Sequence, residues 1–232
     1  MKAQRITDSI AYHAEGPCWW EATDHLRFVD MLAGAVVELD DNAPGGHRRL
    51  PVGSAVASVI RPRVGGGAIV ATERGISLGR RDDLSDLSPA AELFTDPEVR
   101  TNEGGCDPDG RFWIGTMPYA KTPGGANMYR WDGPGAQPMR AWGGATICNG
   151  LGFSPDGTVA YWIDTPTGVV TLMDYDPARG LVDPRPFVSI DPDEGHPDGL
   201  CVDAEGGVWT ALNGGAAVRR YSADGVLDAV VE

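Results

Sequence analysis

The chain writes one phrase several times, and that repetition limits its fold more than any other feature. Laid without a gap over Glu15 to Asp30, "EGPCWWEATDHLRFVD", the segment Asn149 to Asp164 reads "NGLGFSPDGTVAYWID". Gly16 meets Gly150, Trp19 meets Phe153, and Phe28-Val29-Asp30 meets Trp162-Ile163-Asp164. Two further copies, "NEGGCDPDGRFWIGT" from Asn102 and "DGLCVDAEGGVWTAL" from Asp198, need a single-residue gap at the same place. A weaker copy near Val56 turns at Gly65-Gly66-Gly67. Gly110, Gly157 and Gly206 stand 47 and 49 residues apart, the period of propeller blades.

Each copy holds short runs rich in Val, Ile, Trp and Tyr between Gly, Pro and Asp clusters, the signature of strands joined by tight turns. With 32 Gly and 18 Pro in 232 residues, long helices have little room. Further strands follow each copy, Val169 to Tyr175 and Ala217 to Tyr221 among them. The pattern predicts an all-β chain, a β-propeller of four-stranded antiparallel blades over residues 1–232 as one domain. A β-sandwich lacks such repetition, and a β-solenoid uses shorter periods.

In a propeller the first strand of each blade lines the central channel, so equivalent repeat positions meet at one height. Glu15, Asn102, Asn149 and Asp198 each stand five residues before the residue opening the turn, namely Trp20, Asp107, Ser154 and Asp203. Gathered inward, two carboxylates and two amides carry uncompensated negative charge that a cation would relieve. All are oxygen donors, which favours one divalent cation, Ca²⁺, Mg²⁺ or Mn²⁺, with Zn²⁺ also compatible. The competing reading makes each a turn former bonded to local backbone; four in phase weigh against it.

A formal net charge of −14 speaks against nucleic acid and anionic membranes as partners. No signal-peptide core or 18-residue apolar run appears, so a cytoplasmic location is expected. Cys18, Cys106, Cys148 and Cys201 form no C-x-x-C pair and are expected to be reduced, buried small residues. His25 and His47 read as exposed turn residues, while His13 and His196 could support Glu15 and Asp198 by strand alternation. No G-x-S-x-G nucleophile motif occurs.

The blocks "RTNEGGCDPDGRFWIGTM" (100–117), "NGLGFSPDG" (149–157) and "HPDGLCVDAEGGVW" (196–209) resemble, in order and spacing, the SMP-30/gluconolactonase/regucalcin family of six-bladed propeller lactonases. The resemblance runs from "AEGPCW" at position 14 to the end. It implies hydrolysis of a sugar lactone, with a divalent metal held by Glu15, Asn149 and Asp198. Arg100 and Asn102 would contact substrate hydroxyls, and Asp198 would act as general base. Repeat phase alone places Asn102 with the cation donors; the resemblance moves it to the substrate.

There are departures. The loop "PYAKTPGGAN" (118–127) has no carboxylate where relatives often have one, and Glu103 is one methylene longer than the usual aspartate. The chain is also shorter than family members, which leads to the expectation that most of the last of six blades is missing, leaving either an open ring or five blades that close alone. Two further functions stay in view: a non-catalytic calcium-binding or regulatory propeller, and a truncated inactive paralogue serving as an interaction scaffold.

Overall fold

The structure, a computed structural model, describes residues 1–232 and consists of five four-stranded antiparallel sheets in strict chain order. The first holds β1 (Ala14–Trp20), β2 (His25–Asp30), β3 (Ala35–Leu39) and β4 (His47–Pro51). The second holds β5 (Ala57–Pro62), β6 (Ala68–Thr72), β7 (Gly75–Leu78) and β8 (Ser88–Glu92). The third holds β9 (Val99–Cys106), β10 (Phe112–Pro118), β11 (Ala126–Trp131) and β12 (Met139–Ala145). The fourth holds β13 (Cys148–Phe153), β14 (Val159–Asp164), β15 (Val169–Asp176) and β16 (Gly180–Ser189). The fifth holds β17 (His196–Val202), β18 (Val208–Asn213), β19 (Ala217–Tyr221) and β20 (Leu227–Val231). No helix is long and apolar enough to cross a membrane.

These are five propeller blades, each complete. The expectation of a six-bladed ring with a truncated last blade is corrected: all four strands of the fifth blade are present, and no sixth sheet begins. Met1 to Ala3 instead runs parallel to the end of β20. The Met1 α-amino group donates to the Val230 carbonyl at 2.6 Å, the Glu232 N–H to Met1 O at 2.9 Å, and the Ala3 N–H to Glu232 O at 2.7 Å. That pairing covers part of an outer edge that would otherwise present open hydrogen-bonding groups.

The first hairpin of every blade turns where the repeat predicts. Asp24, Gly66, Gly110, Gly157 and Gly206 all take left-handed φ, between 59° and 96°, which favours glycine and tolerates aspartate. Two of these turns share one brace. Asp107 Oδ1 accepts from the Asp109 and Arg111 N–H groups, while Oδ2 accepts the Trp113 indole at 2.8 Å. Asp203 does the same with Glu205, Gly207 and Trp209, the last at 2.9 Å. The D-x-x-G-x-x-W spacing is thus a turn lock.

The chain packs as two compact units. An N-terminal unit comprises Thr7–Asn102 with Trp131–Met139; a C-terminal unit comprises Met1–Ile6, Glu103–Arg130 and Arg140–Glu232. In the N-terminal unit Trp20, Val29, Val36, Ile60, Val70 and Leu84 fill the space between the first and second sheets. In the C-terminal unit β14 alternates cleanly. Ala160 and Trp162 face a core with Trp113, Met128, Cys148 and Met173, while Tyr161 and Ile163 face one with Val170, Val208 and Leu212. A sheet buried on both faces needs apolar residues at successive positions, which is why "VAYWI" is unbroken. Each such large side chain contributes about 1.5–3 kcal/mol by leaving water.

Candidate metal and substrate site

A β-bulge marks the same place in the first strands of the first, second, fourth and fifth blades. In β1 the register shifts between Glu15 and Cys18, in β5 between Ala57 and Val59, in β13 between Asn149 and Leu151, and in β17 between Pro197 and Leu200. Glu15 and Asn149 are therefore the last regularly paired residues before the bulge, opposite Val29 and Ile163, and Asp198 lies inside it. A bulge bends its strand and re-aims the side chains beside it.

The chain leading into two of these strands is clamped by a carboxylate. Asp30, closing β2, accepts from the Tyr12 and His13 N–H groups at 2.8–3.1 Å. Asp164, closing β14, accepts from the Thr146 and Ile147 N–H groups at 2.9–3.1 Å. The paired "FVD" and "WID" thus fix the approach to Glu15 and Asn149. Burial alone would raise the Asp30 pKa, but Arg49 and the two N–H donors outweigh it and hold this carboxyl below the usual range.

In the C-terminal unit Asn149 is 7% exposed, and its amide nitrogen lies 2.7 Å from Thr165 Oγ1. Thr165 Oγ1 donates its single proton to the Pro197 carbonyl at 2.9 Å. Toward Asn149 that hydroxyl can only accept, so the amide must present its NH₂ there. Oδ1, the amide atom suited to a hard cation, is the other terminal atom of that group. Pro197 precedes Asp198, and Gly150 packs so closely on β17 that a Cβ there would sit 2.6 Å from Leu200 Cγ and 3.0 Å from the Asp198 carbonyl. Asn149 and Asp198 are thereby neighbours. Glu103 joins them: its Oε2 lies 3.8 Å from where a Cβ on Gly199 would stand.

In the N-terminal unit Glu15 is half-buried, and its Oε1 lies 3.1 Å from His13 Nε2, the support that strand alternation suggests. Arg100 and Asn102, 7% and 6% exposed, are paired: Arg100 Nη1 donates to Asn102 Oδ1 at 2.8 Å and to the Thr101 carbonyl at 2.9 Å. Thr101 Oγ1 donates to the Thr72 carbonyl at 2.6 Å, so Ser58, 2.7 Å away, must donate to Thr101. One unit thus gathers Asn149 with Asp198, and the other holds Glu15 and the Arg100–Asn102 pair.

Sequence reasoning passed over Thr165, which has no apolar or turn signature, and misread His25. That histidine is half-buried, and its ring nitrogens lie 3.7 Å from Glu38 Oε1 and 3.9 Å from Asp40 Oδ1, close enough for the three to hold a metal ion. This group sits at the turn end of the β1–β2 hairpin, where Trp20 pairs His25, away from Glu15 at the open end. Its charge is already matched, Glu38 by buried Arg27 and Asp40 by Arg48. His47 begins β4 half-buried, and His196 is exposed.

The cysteines also need correction. All four are thiols, but only Cys148 is buried; Cys106 and Cys201 are exposed, and Cys18 is half-buried. Burial pushes the Cys148 thiol up to about 12. The small residues at these strand positions do not all face a core.

Five four-stranded antiparallel blades in chain order define a β-propeller. Residues 13–232 match the SMP-30/gluconolactonase/LRE-like region, and the chain belongs to that family. It is 32% identical over 226 residues to a pentonolactonase of Haloferax volcanii, covering 97% of this chain and 75% of that protein. It is 33% identical over 210 residues to a regucalcin of Danio rerio, covering 88% and 70%. The structure resembles that of a regucalcin of Agrobacterium tumefaciens, described as a calcium-binding protein, with a TM-score of 0.85 and 29% identity, covering 96% and 75%.

Proposed function

We propose that the protein is a divalent-metal-dependent lactonase that opens a small sugar lactone to the hydroxy acid. The observation that carries this reading is the placement of Asn149 against β17, where its amide meets Thr165 and Thr165 in turn meets the Pro197 carbonyl next to Asp198. Glu15, Asn149 and Asp198 would hold the cation; Ca²⁺, Mg²⁺, Mn²⁺ and Zn²⁺ all suit an oxygen donor set. When bound, the cation supplies positive charge for the carbonyl oxygen as it becomes an oxyanion. Asp198 takes a proton from the attacking water, the ring C–O bond breaks, and the proton goes to the departing ring oxygen. Arg100 and Asn102, already paired, orient the substrate hydroxyls. The pentonolactonase relative supports the reaction class. We place the single-domain protein in the cytoplasm, where its thiols would stay reduced.

A second reading, a calcium-binding protein without turnover, draws on the description of the Agrobacterium relative. A pH-indicator assay with an aldonolactone panel, with and without EDTA, separates the two. Acid release that stops with EDTA and returns with a divalent ion is the expected result. Thermal stabilisation by Ca²⁺ with no turnover would give the second reading, and no response to either would refute both.

A further inference from the structure

We propose that His25, Glu38 and Asp40 form a binding site for Zn²⁺ at the turn end of the β1–β2 hairpin, separate from the inner-strand donors and independent of the lactonase reading.

The register of two strands builds the group. Arg27 pairs with Glu38 across β2 and β3, and alternation brings His25 and Asp40, two residues away on each strand, to the same face. One ligand atom from each of the three residues is available, and these atoms all lie within 4.8 Å of one another. His25 Nδ1 stands 3.7 Å from Glu38 Oε1, and Nε2 stands 3.9 Å from Asp40 Oδ1. Neither spacing is a hydrogen bond. Both suit two ligands of one ion, because zinc holds nitrogen and oxygen at about 2.0–2.2 Å and two such bonds span up to about 4 Å.

A second observation is the unmet polar need in the same place. His25 Nδ1 is buried without a hydrogen-bond partner, and so is Asp40 Oδ2. The Glu38 and Asp40 side chains are 4% and 1% exposed, and buried polar atoms left without hydrogen bonds are costly. The neighbouring arginines leave ligand atoms available. Arg27 donates to Glu38 through Oε2, which neutralises that carboxylate without covering Oε1. Asp40 Oδ1 accepts the Asn42 N–H at 2.9 Å, a bond that uses one of its lone pairs. Arg48 faces Asp40 Oδ2 at 2.6 Å, but its side chain is 56% exposed, so it can swing into water when a metal ion approaches. Glu38 then stays balanced by Arg27, while Asp40 and a neutral imidazole face the ion.

The donor set selects the metal. Imidazole nitrogen beside carboxylate oxygen suits zinc, whereas Ca²⁺ and Mg²⁺ take oxygen ligands. Glu15, Asn149 and Asp198 offer no imidazole, so the two groups differ in the ion they prefer.

The test measures bound zinc, by equilibrium dialysis and elemental analysis, in EDTA-treated wild type, His25→Gln, Asp40→Asn and Arg48→Ala, each first checked for its thermal midpoint without metal. The wild type should hold one zinc more per chain than His25→Gln or Asp40→Asn. Exposed thiols and inner-strand donors are common to all four proteins and cannot produce that difference. Zinc should raise the midpoint of the wild type more than that of His25→Gln, while Ca²⁺ should shift the two alike. Arg48→Ala should bind zinc more tightly than the wild type, because a competing cation is gone. Equal zinc in wild type and His25→Gln would overturn the proposal. If the variants do not fold, anomalous diffraction at the zinc edge from zinc-soaked wild-type crystals decides. A peak between His25, Glu38 and Asp40 supports the site, and no peak there overturns it.

Discussion

Thr165→Val removes one hydroxyl while preserving shape, and it tests whether that hydroxyl sets the cation-facing oxygen. Two hydrogen bonds are lost, to Asn149 at 2.7 Å and to the Pro197 carbonyl at 2.9 Å. At about 1 kcal/mol each, plus the cost of leaving buried groups less well satisfied, the fold should lose about 2–3 kcal/mol. For a chain of this size each kcal/mol moves the thermal midpoint by about 2–4 °C, so the cation-free variant should melt about 5–10 °C lower. The decisive quantity is separate. Losing the hydroxyl removes one restraint on which end of the Asn149 amide faces the proposed donor set, and cation affinity should fall about tenfold, as when other residues behind metal ligands are removed. At saturating Ca²⁺ or Mn²⁺ that is about 1.4 kcal/mol less stabilisation, or about 3–6 °C less upward shift. Differential scanning fluorimetry after EDTA treatment, with cation titrated back, reads both numbers. Thr165→Ser keeps the hydroxyl and should restore the cation-induced shift. A Thr165→Val protein that melts lower yet gains the wild-type shift from cation would refute the reasoning.

Other outcomes follow from the same structure. Gly150→Ala would drive a methyl to 2.6 Å from Leu200 Cγ, and urea unfolding should register a loss of about 1–3 kcal/mol. Gly199→Ala, which meets only Glu103 Oε2 at 3.8 Å, should leave the urea midpoint nearly unchanged. Asp203, held low by Arg220 with help from Trp209 and two backbone N–H groups, and Asp156, held low by Ser154 and Thr158, contribute stability that is complete above the ordinary aspartate value. Circular dichroism should therefore record declining stability as pH falls below about 4, with a shallower decline in Asp203→Asn. A thiol reagent at pH 8 should leave native Cys148, raised to about 12 by burial, unmodified while exposed Cys106 reacts.

Much of this was legible because the repeat keeps its phase through the turns. Asp24 and the four turn glycines fall where the overlay puts them, and the residues before the bulges are those it aligned. Asp30 and Asp164 were aligned too, but their role as clamps needs the N–H groups that only the folded backbone brings near. Thr165 was invisible because its counterpart in the first blade is Met31, so no repetition flagged it. The five copies of the repeat match the five sheets; the expectation of a missing sixth blade came from the length of relatives and not from the strands present. His25 looked like a solvated turn residue because Glu38 and Asp40 reach it from the next strand over.

The bulges separate two jobs within each inner strand. The regular pairing on either side keeps β1 and β13 joined to β2 and β14 in register, while the irregular step between absorbs whatever angle the neighbouring side chain requires. Glutamate and asparagine stand just before the step in β1 and β13, and serine and aspartate lie within it in β5 and β17. A scaffold of this kind can exchange one of these groups for another without renegotiating its strand pairing, which makes the chemistry of these positions interchangeable while the framework stays fixed.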